Sequence, residues 1–155
     1  MKNVKKLSLI GAALFAIAAA LTILLPALQY EDLQYTGYEI AFGKALLDVN
    51  PLDLGSIASA QLPVSYFAIA GYLFPLVAAV LFGVSEKLGV VSLVLLIASL
   101  ILFVSLPNNV VIEYTIAGVE NTADIDWSMD NGVIVAIIML SMSTVLGILT
   151  IATND

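Results

Sequence analysis

Residues 88–106 read LGVVSLVLLIASLILFVSL, a run of nineteen residues without a charged side chain. The hydrocarbon core of a bilayer, about 30 Å thick, is crossed by roughly 20 helical residues. Inside that core no water can satisfy a backbone amide, so an isolated spanning segment has to be helical. This stretch therefore predicts a membrane-spanning helix.

Three further uncharged stretches have a similar length. Together with residues 88–106, they place the predicted spans at 7–25, 62–84, 88–106 and 132–152. Charged residues make up only 11% of the chain, against about 25% in a typical soluble domain. The sequence predicts an all-α membrane protein, a four-transmembrane-helix bundle, built as a single integral membrane domain over 1–155. Residues 26–61 and 107–131 are the two outer loops.

The lysines predict how the chain is threaded. Lys2, Lys5 and Lys6 precede the first span, Lys87 lies between the second and third, and only Lys44 falls on the other side. By the positive-inside bias, both termini are expected to be cytoplasmic in a plasma membrane. A cleaved signal peptide is the alternative for the first span, but its apolar run exceeds the usual 7–15 residues.

Both outer loops carry alternating apolar residues typical of strands. Residues 33–43 and 110–117 each place apolar side chains at every second position, and the residues concerned are Tyr38, Ile40, Phe42, Ile112, Tyr114 and Ile116. Two strands beside a helical bundle would each expose an unpaired edge unless they met. We therefore predict a small antiparallel β cap formed between the loops. Residues 44–55 suggest a short helix or turn, and uncharged residues 56–62 suggest an early start of the second helix.

The layout of cytoplasmic ends, a long strand-bearing first loop and a shorter second loop resembles the claudin-type tetraspan arrangement. That resemblance implies the topology alone, because the claudin first loop carries a tryptophan pair and two cysteines. Here the chain has no cysteine, and its single tryptophan, Trp127, lies in the second loop. Residues 35–43, which read YTGYEIAFG, also resemble first-loop segments of small uncharacterised bacterial four-span membrane proteins, a resemblance that implies no activity.

The sequence offers few residues for chemistry. Histidine, arginine and cysteine are absent, and none of the four predicted spans contains an ionisable residue. Intramembrane ionisable groups mark ion paths and proton relays, so a pump, a proton-coupled transporter and an intramembrane protease are disfavoured. A net charge of −7 with five lysines argues against a nucleic-acid partner. We expect no enzymatic activity and no cofactor.

Small residues recur at helical spacing in the first and fourth spans. The candidates for helix contact are Gly11, Ala12, Ala16, Ala20, Ser143 and Gly147. Small side chains let helix backbones approach closely in a membrane. This pattern predicts either packing within the bundle or an interface with another subunit.

Oxygen-bearing side chains alternate just before the fourth span. Asp124, Asp126, Ser128 and Asp130 could supply ligands to a hard cation such as calcium. The glycine and glutamate of an EF-hand loop are missing, so a solvated acidic surface, with Asp130 or Asn131 capping the fourth helix, is the competing interpretation. Trp127 is expected to anchor the chain at the membrane interface.

These observations favour a small tetraspan scaffold or accessory subunit that acts through protein–protein contacts. Its expected partners are the lipid bilayer and another membrane protein, or further copies of itself in a homo-oligomer. The alternative is a channel- or transporter-like protein for a neutral or cationic solute, whose mouth the acidic outer loops would enrich in cations. A membrane immunity protein that protects against a toxin is a further alternative.

Overall fold

The computed structural model describes residues 2–49, 58–85 and 88–152. Its helices are α1 (Lys2–Leu21), α2 (Gly37–Phe42), α3 (Tyr66–Val84), α4 (Gly89–Ser105) and α5 (Asn131–Ala152), with 3-10 turns at Thr22–Leu24 and Leu106–Asn109. Its strands are β1 (Pro26–Tyr30), β2 (Leu33–Thr36), β3 (Lys44–Val49), β4 (Ala58–Leu62), β5 (Val111–Ile116), β6 (Val119–Asp124) and β7 (Ser128–Met129).

Within the described residues, four helical segments are long and apolar enough to cross a membrane. They are Asn3–Leu24, Tyr66–Val84, Gly89–Asn109 and Asn131–Ala152. This confirms the four predicted helices, although α3 starts later than the predicted residue 62. Leu62 ends strand β4, and the Ser65 hydroxyl accepts a hydrogen bond from the Ala68 amide at 3.3 Å. An N-cap of this kind sets the start of a helix, so the expected early start is wrong for residues 58–65.

The four long helices form a ring in the order α1–α3–α4–α5, and α5 packs against α1 to close it. Hydroxyl groups join neighbouring helices inside the ring. The Ser143 hydroxyl donates to the Ala12 carbonyl and the Ser99 hydroxyl donates to the Gly71 carbonyl, both at 2.7 Å. Hydrogen bonds of this type between membrane helices contribute about 0.6 kcal/mol on average. They link α1 to α5 and α3 to α4.

Two antiparallel sheets lie at one end of the bundle. The first has the order β2-β1-β7 and the second the order β3-β4-β5-β6. Strand β7 pairs with β1, and β5 pairs with β4, so each sheet joins the two predicted outer loops. Antiparallel pairing between the loops is therefore confirmed, but the predicted partners are wrong: residues 33–36 and 111–116 lie in different sheets, and two sheets form instead of one. Because both loops meet at the same end, the four long helices alternate in direction.

The strand predicted over residues 33–43 is wrong beyond Thr36, where the chain turns into helix α2. The Thr36 hydroxyl accepts from the Glu39 amide at 3.2 Å, and the Glu39 carboxylate accepts from the Thr36 amide at 2.9 Å. This reciprocal capping box starts a helix. Ile40 is buried, whereas Tyr38 and Phe42, four residues apart, are exposed with ring centroids 4.9 Å apart.

Strands β3 and β4 take the place of the predicted strand. Lys44–Val49 pairs with Ala58–Leu62 in an antiparallel ladder. The helix or turn expected at the start of residues 44–55 is therefore wrong for 44–49, and the remainder of that prediction lies outside the described residues. Strand pairing with β4 overrides the weak local pattern of this segment, because β propensity depends on packing context.

Candidate contact surface at the cap

The two sheets and helix α2 form a cap, which comprises the described residues between 26 and 62 and between 111 and 129. The three-stranded sheet and helix α2 are the parts of the cap that pack most closely on the bundle, where β1 contacts α5 and α2 contacts α3. Ala27 and Leu28 of β1 are completely buried. The Asp130 amide donates to the Ala27 carbonyl at 2.9 Å, which joins this sheet to the start of α5.

Trp127 holds the two loops together inside the cap. It is 8% exposed, and its indole Nε1–H donates to the Val110 carbonyl at 2.8 Å. The rings of Tyr30 and Tyr35 meet it edge to face, with centroids 6.2 Å and 5.6 Å away. The expectation of an interfacial anchor is wrong, because the indole ring is enclosed by protein and its donor group has a protein partner.

Asp130 caps helix α5, as one of the two interpretations of the acidic segment predicts. Its Oδ1 accepts from the Asn131 amide at 2.6 Å, and its carbonyl accepts from the Ile134 amide at 3.2 Å. The side chain is buried, and its Oδ2 has no hydrogen-bond partner in the described part of the chain. A negative group is favoured at a helix N-terminus by the helix dipole.

The other three candidates for the cation site lie in different parts of the cap and share no hydrogen-bond partner within the ranges that the structure describes. Asp124 ends strand β6, Asp126 is exposed, and the Ser128 hydroxyl donates to the Gln29 carbonyl at 3.1 Å. Over residues 2–49, 58–85 and 88–152, no group of three or more acidic side chains could hold a metal ion. The structure therefore ties Ser128 to β1 and Asp130 to α5 instead of gathering the four residues.

The small residues predicted for helix contact lie within the bundle. Ala12, Ala16, Ala20, Ser143 and Gly147 are buried, and Gly11 is partly buried. A Cβ on Gly147 would lie 2.8 Å from Leu93 Cδ2, and one on Gly11 would lie 2.9 Å from Leu146 Cδ1. Their role in contact with another protein stays a prediction, because these residues contribute little to the exposed surface of the molecule.

The four-stranded sheet has one apolar and one polar face. Its pairing register places on one face Leu47, Ala58, Ala60, Ile112, Tyr114, Ile116, Val119, Asn121 and Ala123. Asp48, Ser59, Gln61, Glu113, Thr115, Glu120, Thr122 and Asp124 share the other face. No residue of β5 or β6 is buried, and Leu47, Ile116 and Val119 are more than half exposed. Ile112 of β5 packs against the core and residues 111–115 are partly buried, whereas Ile116 and nearly all of β6 are exposed.

The polar face is concave and acidic. A cavity of about 530 Å³ opens on it. Six of its lining residues belong to this face, Ser59, Gln61, Glu113, Thr115, Glu120 and Thr122, and the other two, Tyr114 and Asn121, belong to the apolar face. The Gln61 amide donates to the Glu113 carboxylate at 3.1 Å. None of these eight residues is basic, so the face presents hydroxyls, amides and two carboxylates.

The lysines near the chain start lie at the opposite end of the molecule from the cap. Lys5 and Lys6 line a cavity of about 480 Å³ with Phe82 and Ser85, where the start of α1 meets the end of α3. The molecule is therefore electrostatically asymmetric along its long axis, with lysines at one end and the acidic polar face at the other.

Sequence reasoning missed β6 and the polar face. Strand β6 reads VENTAD and lacks the apolar alternation by which β5 was found. A signal was present in Ala117-Gly118, which joins β5 to β6 with φ of 50° and 80°. Two-residue hairpins favour glycine and other residues that tolerate positive φ. The missed α2 had its own signal, a threonine followed three residues later by a glutamate.

No protein-family model, curated protein or solved structure matches this chain. The resemblance to the claudin-type layout and to small bacterial four-span proteins therefore stays a prediction.

Proposed function

We propose that this chain is a non-enzymatic four-span membrane protein that acts as a scaffold or accessory subunit through contacts made by its cap. One observation carries the proposal. The four-stranded sheet is amphipathic, and its apolar face packs on the core at Ile112 but leaves Leu47, Ile116 and Val119 more than half exposed. An antiparallel sheet normally covers its apolar face with a core, so the exposed Leu47, Ile116 and Val119 mark a surface for a partner protein.

The packed interior of the bundle favours the scaffold function over the channel or transporter function. Large side chains fill it, with Phe82, Phe103, Leu96 and Leu140 fully buried. The buried Ser99 and Ser143 hydroxyls are already bonded to carbonyls of neighbouring helices. The channel or transporter alternative and the immunity alternative stay predictions from the sequence.

The proposal places the protein in a plasma membrane with both chain ends and the Lys5–Lys6 end cytoplasmic. The separation of the lysines from the cap along the molecule supports this orientation under the positive-inside bias. In this orientation the cap projects from the outer surface, where its partner would bind. Labelling of engineered cysteines at residues 3 and 122 with a membrane-impermeant reagent tests it. Only residue 122 is expected to react in intact cells, and reaction at residue 3 would reverse the orientation.

Native mass spectrometry of the chain, extracted from its own membrane in mild detergent, tests the proposed contacts. We expect a reproducible complex with another protein or a defined homo-oligomer. A monomer in several detergents, with no partner retained after chemical cross-linking in the membrane, would contradict the proposal. Solute flux through reconstituted liposomes above that of empty vesicles would instead favour the channel alternative.

A further inference from the structure

The polar face of the four-stranded sheet ends at an open strand edge. Strand β6 pairs with β5 on one side and has no strand neighbour on the other among the residues that the structure describes. Glu120, Thr122 and Asp124 are all exposed there. An open edge offers a row of backbone donors and acceptors to any strand that can pair with it.

The hairpin geometry decides which backbone groups face outward. Strands β5 and β6 are joined by two residues, and the pair next to the turn is Ile116 and Val119. In such a hairpin that pair exchanges both hydrogen bonds, and the pattern alternates from there. The backbone groups of Val119, Asn121 and Ala123 therefore point to β5. Those of Glu120, Thr122 and Asp124 point to the open edge.

Two of the same three residues supply the charge of the edge. Glu120 and Asp124 project from the polar face four residues apart, about 13 Å along the strand. Glu113 of β5 adds a third carboxylate to that face. None of the eight described residues that line the cavity on this face is basic, so an approaching strand would have to bring the positive charge.

A second copy of the chain is a poor occupant of this edge. Glu120 and Asp124 lie at equal distances from Thr122 along β6. If the β6 edge of another copy paired with this one in antiparallel fashion about Thr122, Glu120 of each copy would lie opposite Asp124 of the other. Like charges directly opposite each other destabilise a strand pair. The charges therefore select a basic strand over a second acidic chain.

We propose that the β6 edge binds an extended basic segment of a partner protein, which adds to the sheet as a fifth strand. Two lysines or arginines four positions apart in that segment face Glu120 and Asp124. Apolar residues between them lie beside Asn121 and Ala123 and extend the apolar face. Strand addition of this kind combines main-chain hydrogen bonds with side-chain selection at alternate positions. The inference rests on the proposed function and names the site and chemistry of the contact.

A synthetic peptide, Thr-Lys-Val-Thr-Val-Lys-Thr, is the probe for this site. Its two lysines lie four positions apart and face the same side in an extended strand. We expect saturable binding to the full-length protein in detergent micelles, measured by fluorescence anisotropy. The isomer Thr-Lys-Val-Thr-Lys-Val-Thr has the same composition but places its lysines on opposite faces. We expect it to bind about two- to fivefold more weakly, because one charge pair is lost. Equal binding of the two peptides would overturn the proposed strand addition.

Variants of the protein test the two parts of the site separately. Glu120→Gln with Asp124→Asn removes both charges and is expected to weaken binding of the first peptide about tenfold. Thr122→Pro removes an outward amide that β5 does not use, as proline permits at an edge, and is expected to abolish binding. Hydrogen exchange of the β5 amides shows whether the hairpin is intact in each variant. Glu31→Gln with Asp32→Asn, in the β1–β2 turn, is the matched charge control and should bind as the unaltered protein does.

The outcomes separate this inference from the proposed function. Unchanged peptide binding by the Glu120→Gln, Asp124→Asn variant with an intact hairpin overturns the site. If that variant also keeps its partner in native mass spectrometry, the proposed function survives and the contact lies elsewhere. If no partner is found for the unaltered protein, the proposed function fails, whatever the peptide does.

Discussion

Replacing Trp127 should open the cap while the bundle remains folded. The indole is buried between Tyr30 and Tyr35 and donates to the Val110 carbonyl. Truncation of a buried tryptophan to alanine costs about 3–5 kcal/mol. At about 1.4 kcal/mol per factor of ten, Trp127→Ala should speed hydrogen exchange of the β1 and β5 amides roughly 10²- to 10⁴-fold. The amides in the middle of α4 should keep their protection, because they lie outside the cap.

Trp127→Phe separates the hydrogen bond from the ring contacts. Phenylalanine preserves an aromatic ring in the cluster but leaves the Val110 carbonyl without its donor, which costs about 1–3 kcal/mol. Exchange of the β5 amides should therefore rise less than in Trp127→Ala. Tyr66→Phe is the control, because Tyr66 is 79% exposed. If Trp127→Ala left exchange of the cap amides within twofold of the unaltered protein, the cluster would not hold the loops together and the reasoning would be refuted.

Three further predictions test the packing, the capping box and a buried hydroxyl. Gly147→Leu should destabilise the bundle by about 1–3 kcal/mol through overpacking, seen as a lower midpoint of thermal unfolding in detergent. Gly83→Leu, at a site with no atom within 4 Å of a Cβ, should not, and equal losses would contradict the packing argument. The pKa of the Glu39 carboxyl is lowered from 4.5, chiefly by the hydrogen bond from Lys44. The ionised carboxylate therefore stabilises α2 fully above pH 4.5, and this stabilisation is lost as the pH falls through the lowered pKa. Exchange of the α2 amides should show this loss below about pH 4.5, and Glu39→Gln should abolish it; a pH dependence that persisted in the variant would contradict the assignment. Tyr72→Phe should leave stability unchanged or raise it, because the buried hydroxyl of Tyr72 has, within the described residues, only the nearby Thr22 hydroxyl, outside normal hydrogen-bond geometry. A loss above about 1 kcal/mol would show a partner for that hydroxyl.

The long helices could be predicted from the sequence because a single segment in hydrocarbon can satisfy its backbone hydrogen bonds only as a helix. An uncharged run such as residues 88–106 has to satisfy its own amides, and no distant contact changes that. Strand β5 was predicted for a related reason. Ile112, Tyr114 and Ile116 alternate with less apolar residues, and this local pattern indicates a strand without any distant contact. In both cases the local pattern and the final structure agree.

The remaining cap could not be predicted, because it depends on contacts distant in sequence. Residues 37–42 alternate as a strand would, but the Thr36–Glu39 capping box forms a helix there. Strand β3 gains its structure from β4, and the polar strand β6 from β5. Trp127 looked like a membrane anchor in sequence, since nothing local shows that Val110 lies within hydrogen-bond distance. The polar face of the sheet was missed together with β6, which forms its edge, although Ile112, Tyr114 and Ile116 of the cap were predicted.

Photo-cross-linking in the intact membrane tests most directly whether the protein works through its cap. A benzophenone side chain is placed at residue 122 on the sheet edge, at residue 119 on the apolar face, or at residue 14 on the outside of α1, where Leu14 is exposed. We expect a discrete protein adduct from the cap positions and none from residue 14. Lipid adducts or no adducts from both cap positions, with a protein adduct from residue 14, would contradict it.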